Sequence, residues 1–197
     1  MLVDLRAVLL VLHLVAMVFM AAPLYMLIVV NERARFGVPV TFYTDRYMEN
    51  VIRQQPIRCY VYLTTIFATG LALMYTDGWP VASLFLNWAL LAKVVAVLVL
   101  VGLLSYVHFG LQPKIEGLLA EVTPEGPAPS HVGPKLTALR RTRKRLSATC
   151  LFVVLTAVAM GLRLLVGYSP FLAVALVALA ALFARRAYVA PIPYGWV

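Results

Sequence analysis

The sequence predicts an all-α, polytopic membrane helix bundle with about five transmembrane helices, its N-terminus outside and its C-terminus cytoplasmic. Three observations predict it. Of the 197 residues, 63% are hydrophobic and only 13% charged, and the mean hydropathy of +0.91 lies well outside the range of water-soluble domains. Apolar runs approaching the ~20 residues needed to cross hydrocarbon recur along the chain. Basic residues concentrate in the segments on one side of those runs: Asn31 to Arg58, Leu111 to Arg145 and the pair Arg185 and Arg186 hold fourteen of the seventeen lysines and arginines. The positive-inside rule places those segments in the cytoplasm.

The first run spans 7–30. Its leader carries only Arg6, offset by Asp4, and the stretch is too long for a secretory leader, so it reads as a retained helix. Pro23, behind Ala21 and Ala22, predicts a kink and a close helix approach. The second run, 59–75, and the third, 84–110, flank a short polar connection, and Trp88 is an interfacial anchor. The fourth covers 146–165. The fifth covers 170–186, with Ser169 placed to cap it and Pro170 at the first helical position. Its apolar part is only about 22 Å long, so it needs Arg185 and Arg186 to snorkel or a thinned bilayer; a re-entrant hairpin is the alternative.

The whole chain reads as one transmembrane domain, with cytoplasmic loops over 31–58 and 111–145 and a cytoplasmic tail over 187–197. Within the second loop, Lys114 to Val122 continues the third helix, and the Pro- and Gly-rich stretch 123–130 breaks it into a linker that also holds His131 at its edge. The cation cluster from Lys135 to Arg145 predicts attraction to anionic lipid headgroups. The tail, Ala190 to Val197, is rigid and aromatic, suited either to anchor at the interface or to dock on a neighbouring subunit. The net charge of +9 is spread between apolar runs, which is the signature of membrane orientation; nucleic acid is not expected as a partner. Cys59 and Cys150 show no metal or redox spacing and read as reduced, small apolar residues.

Ionisable residues at membrane depth are costly and therefore candidates for function. His13 lies about 9 Å below the outer boundary and Lys93 about 7–8 Å below it, so on parallel helices one and three they can line one polar site, with snorkelling toward the outer surface as the plainer role for Lys93. His108 lies about 22 Å further down the third helix and cannot join His13 on one haem. Met17 and Met20 follow His13 at helical spacing, and such a face can hold a haem or a copper ion, with packing as the plainer role for the thioethers. His13 is the candidate metal ligand, and His13, Lys93 and Met17 the candidate cofactor-binding residues. Arg163 approaches the outer headgroups and is expected to snorkel. No row of intramembrane carboxylates, Walker motif, paired nucleophile or inverted repeat is visible, which argues against pumps, ATPases, intramembrane hydrolases and secondary transporters.

Val11-Leu12-His13-Leu14-Val15 on the first helix, Ala68-Thr69-Gly70-Leu71-Ala72-Leu73-Met74 on the second and Leu91-Ala92-Lys93-Val94-Val95 on the third form an order that resembles the HemJ and CopD-like group of small bacterial membrane proteins. The resemblance covers roughly residues 7 to 110. That group includes haem-dependent protoporphyrinogen oxidases and copper-resistance membrane domains. The resemblance implies a first-helix histidine as haem ligand, here His13, and a functionally important third-helix lysine, here Lys93.

Two functions follow as expectations. One is a bacterial inner-membrane protein of redox or respiratory chemistry that binds b-type haem through the first helix. The other is a non-catalytic accessory subunit packed against a larger membrane complex, for which other membrane subunits are the partners. Copper or small-solute transport needs a continuous polar path that these helices do not supply.

Overall fold

The computed structural model describes residues 2–32 and 39–189, and all regular structure among them is helical. Five helices are long and apolar enough to cross a membrane. In chain order the elements are α1 (Leu2–Asn31), α2 (Phe42–Arg53), α3 (Gln55–Thr76), the single turn α4 (Ser83–Leu86), α5 (Trp88–Ser105), a π-helical turn (Tyr106–Leu111), α6 (Gln112–Ala120), α7 (Val132–Val166) and α8 (Pro170–Val189). The tail from Ala190 onward lies outside the described residues.

Local chemistry sets most boundaries. The Asn87 side chain accepts from the backbone N–H groups of Ala89 and Leu90 at 3.0 and 3.4 Å, capping α5. Gly167, at φ 72°, closes α7 in the left-handed conformation that only glycine adopts without strain. Ser169 Oγ accepts from Leu172 N at 3.3 Å, so the expected cap of α8 forms. With 20 residues, α8 is about 30 Å long, and its single continuous helix replaces both the shortfall and the hairpin considered from the sequence. Pro113 has no N–H to return to the turn before it. The chain answers with the π-turn, in which Gln112 N bonds to the carbonyl of Val107, and then continues as α6.

The helices meet through small and flexible side chains, as expected where lipid offers no hydrophobic drive and close packing must hold the bundle. Ala16, Met20, Leu24 and Ile28 of α1 share one core with Cys59 and Leu63 of α3, Leu100 of α5, and Ala148, Leu151 and Val154 of α7. Both cysteines are free and buried in that core. α7 is the hub, contacting α1, α5, α6 and α8. α8 crosses it obliquely, with Ala173 beside Ala89 of α5 and Ala187 in the core that α1 shares.

The largest departure from the sequence reading is at the basic end. The two segments read as loops, 31–58 and 111–145, hold α2, the first turn of α3 and the first turns of α7, besides α6, which is the expected continuation of the third helix. Asp45, Glu49 and Ile52, at helical spacing, form the buried face of α2. That face meets cations of α7. Arg140 Nη1 lies 2.5 Å from Asp45 Oδ1, and Arg143 grips both oxygens of Glu49 at 2.5 and 3.1 Å. Arg143 also donates to Gln112 Oε1 at 2.9 Å and Asn31 Oδ1 at 3.0 Å, while Lys144 pairs with Glu32 and donates to the Tyr188 carbonyl at 2.7 Å. Arg143 and Lys144 are only 1% and 2% exposed. Three members of the expected lipid-attracting cluster are thus turned inward, and Lys135, Arg141 and Arg145 are the exposed ones.

The opposite end is tied by fewer contacts. Arg6 of α1 engages Asp77, just past α3, through two nitrogens at 2.6 and 3.3 Å. Arg163 stacks its guanidinium over Trp88 at 4.8 Å and Tyr168 at 5.8 Å, joining α7 to the start of α5 rather than reaching out alone.

Candidate functional site

Between α1, α3, α5 and α7, in the half of the bundle away from the basic end, lies a cavity of about 480 Å³. That is the size range of sites for cofactors and small molecules. Its walls are mainly leucine, valine, alanine and methionine, and its polar contributors are few: His13, Lys93, and the mouth pair Arg6 and Asp77.

The geometry of His13 is set by α3. His13 Nδ1 is 2.9 Å from Thr69 Oγ1, and the hydroxyl of Thr69 already donates to its own helix, with the carbonyls of Thr65 and Ile66 at 2.6 and 3.2 Å. A hydroxyl has one proton to give. Thr69 is therefore placed to accept from His13, which puts the imidazole proton on Nδ1 and the lone pair on Nε2; the ring also engages the backbone of Ile66, and His13 lines the cavity. A hydroxyl held against one ring nitrogen fixes the tautomer and orientation of an imidazole, as such partners do for metal-binding histidines. Gly70 makes room for the ring: a Cβ there would stand 3.4 Å from His13 Cε1. A leucine at position 70 would push the ring off this position, so Gly70→Leu is expected to disturb any ligand held by His13.

Lys93 comes from α5, and its Nζ faces the backbone of Gly161 on α7, where a Cβ would be 3.7 Å away. Among the described residues it has no carboxylate partner. A half-buried ammonium without a counter-charge favours an anionic group brought by a ligand. Met17 also lines the cavity, whereas Met20 is 1% exposed and packs in the core. His13 and Met17 stand one turn apart on one face of α1, so the two cannot approach a single iron from opposite sides; Met17 contributes an apolar, polarisable wall.

The structure thus brings three sequence candidates, His13, Lys93 and Met17, to one cavity. His108 is not among the lining residues. It sits on the π-turn near the basic end, edge-on to the rings of Tyr60 at 6.0 Å and Phe109 at 4.6 Å, with its Nδ1 buried and unpartnered. His131 pairs with Glu121 at 2.7 Å across the linker. Sequence reasoning missed Arg6, Asp77, Thr69 and Gly70 as parts of the site. The first two lie in polar helix ends that read as boundaries, and the last two, though part of the second-helix segment that carries the resemblance, stand 56 and 57 positions from His13 with nothing in the sequence to assign them a role beside it.

Among the described residues no group of three or more His, Cys, Asp or Glu side chains could hold a metal ion. A bare ion would find one imidazole and one thioether here, whereas a haem brings its own equatorial nitrogens and needs a single strong axial ligand from the protein. The His13 imidazole, a cation without a carboxylate partner among the described residues and apolar walls for the macrocycle fit that group.

No protein-family model, curated protein or solved structure matches this chain at a significant level.

Proposed function

We propose that this is a multi-pass protein of a bacterial cytoplasmic membrane, N-terminus outside, that binds b-type haem through His13 and serves redox or respiratory chemistry. The observation that carries the proposal is the His13 imidazole, held at Nδ1 by Thr69 on the wall of the cavity. The order of His13 on the first helix and Lys93 on the third, which underlies the resemblance to the HemJ and CopD-like group, supports the same reading. Haem, when bound, supplies one-electron chemistry at its iron. The chain's part is to ligate through His13, to hold that ring by Thr69, to neutralise a propionate with Lys93, and to keep water off the macrocycle with Leu10, Leu90 and Val154. The basic end then faces the cytoplasm, with Lys135, Arg141 and Arg145 available to anionic headgroups.

The visible spectrum of protein purified from haem-sufficient cells tests this. A Soret band with one porphyrin per chain is expected, and protein without a Soret band, also after titration with haemin, overturns it. A porphyrin-free protein held in a stable hetero-complex in native mass spectrometry is instead the result expected of an accessory subunit. Two variants grade the site. Thr69→Val removes the acceptor for His13 Nδ1 and should weaken haem binding by about 10–100-fold, read by haemin titration. Lys93→Gln should keep the Soret band but weaken binding by roughly tenfold or more, the worth of one charge-assisted hydrogen bond.

A further inference from the structure

The cavity has two boundaries that face outward, and they differ in chemistry. At the end of the bundle the mouth is bridged by the two-pronged Arg6–Asp77 contact. On the side, between α1 and α7, four lining residues are also strongly exposed: Leu14 at 45%, Val18 at 69%, Leu162 at 42% and Leu165 at 50%. A side chain that lines a cavity while lying on the surface marks the rim of an opening. The reason for the opening is visible in the packing. α1 and α7 are held together nearer the basic end, where Met20, Leu24 and Ile28 share a core with Ala148 and Leu151. α8 lies beside α5 at the cavity end and reaches α1 only at its far end, so it leaves this flank uncovered.

We infer that the α1–α7 gap is a lateral portal through which the cavity takes an amphiphile dissolved in the bilayer, apolar body first, its anionic end coming to rest at Lys93. Every rim residue is apolar and stands on a membrane-length helix, so a hydrocarbon-soluble molecule meets no polar barrier there. A water-borne solute would have to separate Arg6 from Asp77 first. The identity of the amphiphile rests on the haem reading; the route does not.

Gly161 offers a haem-free test, because it borders the cavity, and its substitution by cysteine places a Cβ at ordinary contact distance from Lys93 Nζ. Cys59 and Cys150 are 1% and 6% exposed and serve as the silent background. In nanodiscs, where both faces are open to solvent, a lipid-partitioned pyrenyl maleimide should label Gly161→Cys at least about tenfold faster than a sulfonated, water-bound maleimide, since charge is excluded from hydrocarbon. Adding Val18→Trp or Leu162→Trp at the exposed rim should slow the lipid-phase reagent by roughly fivefold, Leu162→Ala should speed it, and Asp77→Asn should leave it within about twofold. Equal labelling by the two reagents, or acceleration by Asp77→Asn with no response to the rim substitutions, overturns the portal. Portal-dependent labelling of a protein that shows no Soret band would keep the route and remove haem as its occupant.

Discussion

His13→Ala is expected to abolish the Soret band while leaving the protein folded, as judged by an unchanged gel-filtration profile and helical circular dichroism. The ring is the one imidazole at the cavity, so its removal leaves no strong nitrogen ligand for iron. Met17 cannot take over, because a lone thioether is a weak axial ligand and stands one turn further along the same face. The truncation also opens a space beside Gly70, where a ring carbon now lies 3.4 Å from the position of a Cβ. Free imidazole can enter that space, and its addition should restore a Soret band. A His13→Ala protein that binds haemin as tightly as the wild type would reject His13 as the ligand. Recovery with imidazole separates loss of a ligand from loss of the fold, since a collapsed cavity would not respond.

Arg143→Met is expected to destabilise the protein by about 3 kcal/mol, the cost of taking the nearest cation away from a buried carboxylate. Arg143 is 1% exposed and is shared by Glu49, Gln112 and Asn31, so its loss leaves Glu49, itself 3% exposed, with the Gln112 amide at 2.8 Å and the more distant Arg140 at 3.8 Å. Thermal denaturation in mild detergent should show the drop. The paired change Arg143→Met with Glu49→Met removes both charges, and much of the stability should return, because a desolvated ion pair contributes little over apolar packing of similar volume. A double variant no better than the single one would contradict this account of the cluster. The haem spectrum should be little changed in either variant, since the cluster and the cavity occupy opposite halves of the bundle.

The candidate site was partly legible in the sequence because a helix converts sequence distance into depth. Counting about 1.5 Å per residue from the ends of the apolar runs puts His13 and Lys93 at one level, and both line the cavity. The same count separates His108, which the structure leaves near the basic end. What depth does not specify is azimuth. Which side of α1 meets α3, and so which hydroxyl meets His13, depends on contacts between residues 56 positions apart. Thr69 in isolation is one of several threonines on an apolar helix; its role arises only where α3 packs on α1.

The basic end shows a different limit. Arg140, Arg143 and Lys144 stand in a run of cations, and a run of cations reads as solvated or lipid-facing. Their carboxylate partners Glu32, Asp45 and Glu49 are scattered among the arginines of the earlier segment. Only the docking of α2 and α6 on α7 brings the two sets together, and once docked they must pair, because an isolated buried charge is far too costly.

By itself, the sequence determined that the chain carries five apolar segments of membrane-crossing character and how far apart the polar residues stand along them, because apolar length and rise per residue are one-dimensional quantities. Tertiary structure alone decided which faces meet. It closed a carboxylate-lined cap over the cations of α7, set His13 against Thr69, and left Lys93 beside Gly161 without a counter-charge among the described residues. Each of these depends on helix rotation and on long-range pairing, for which a linear pattern carries no signal.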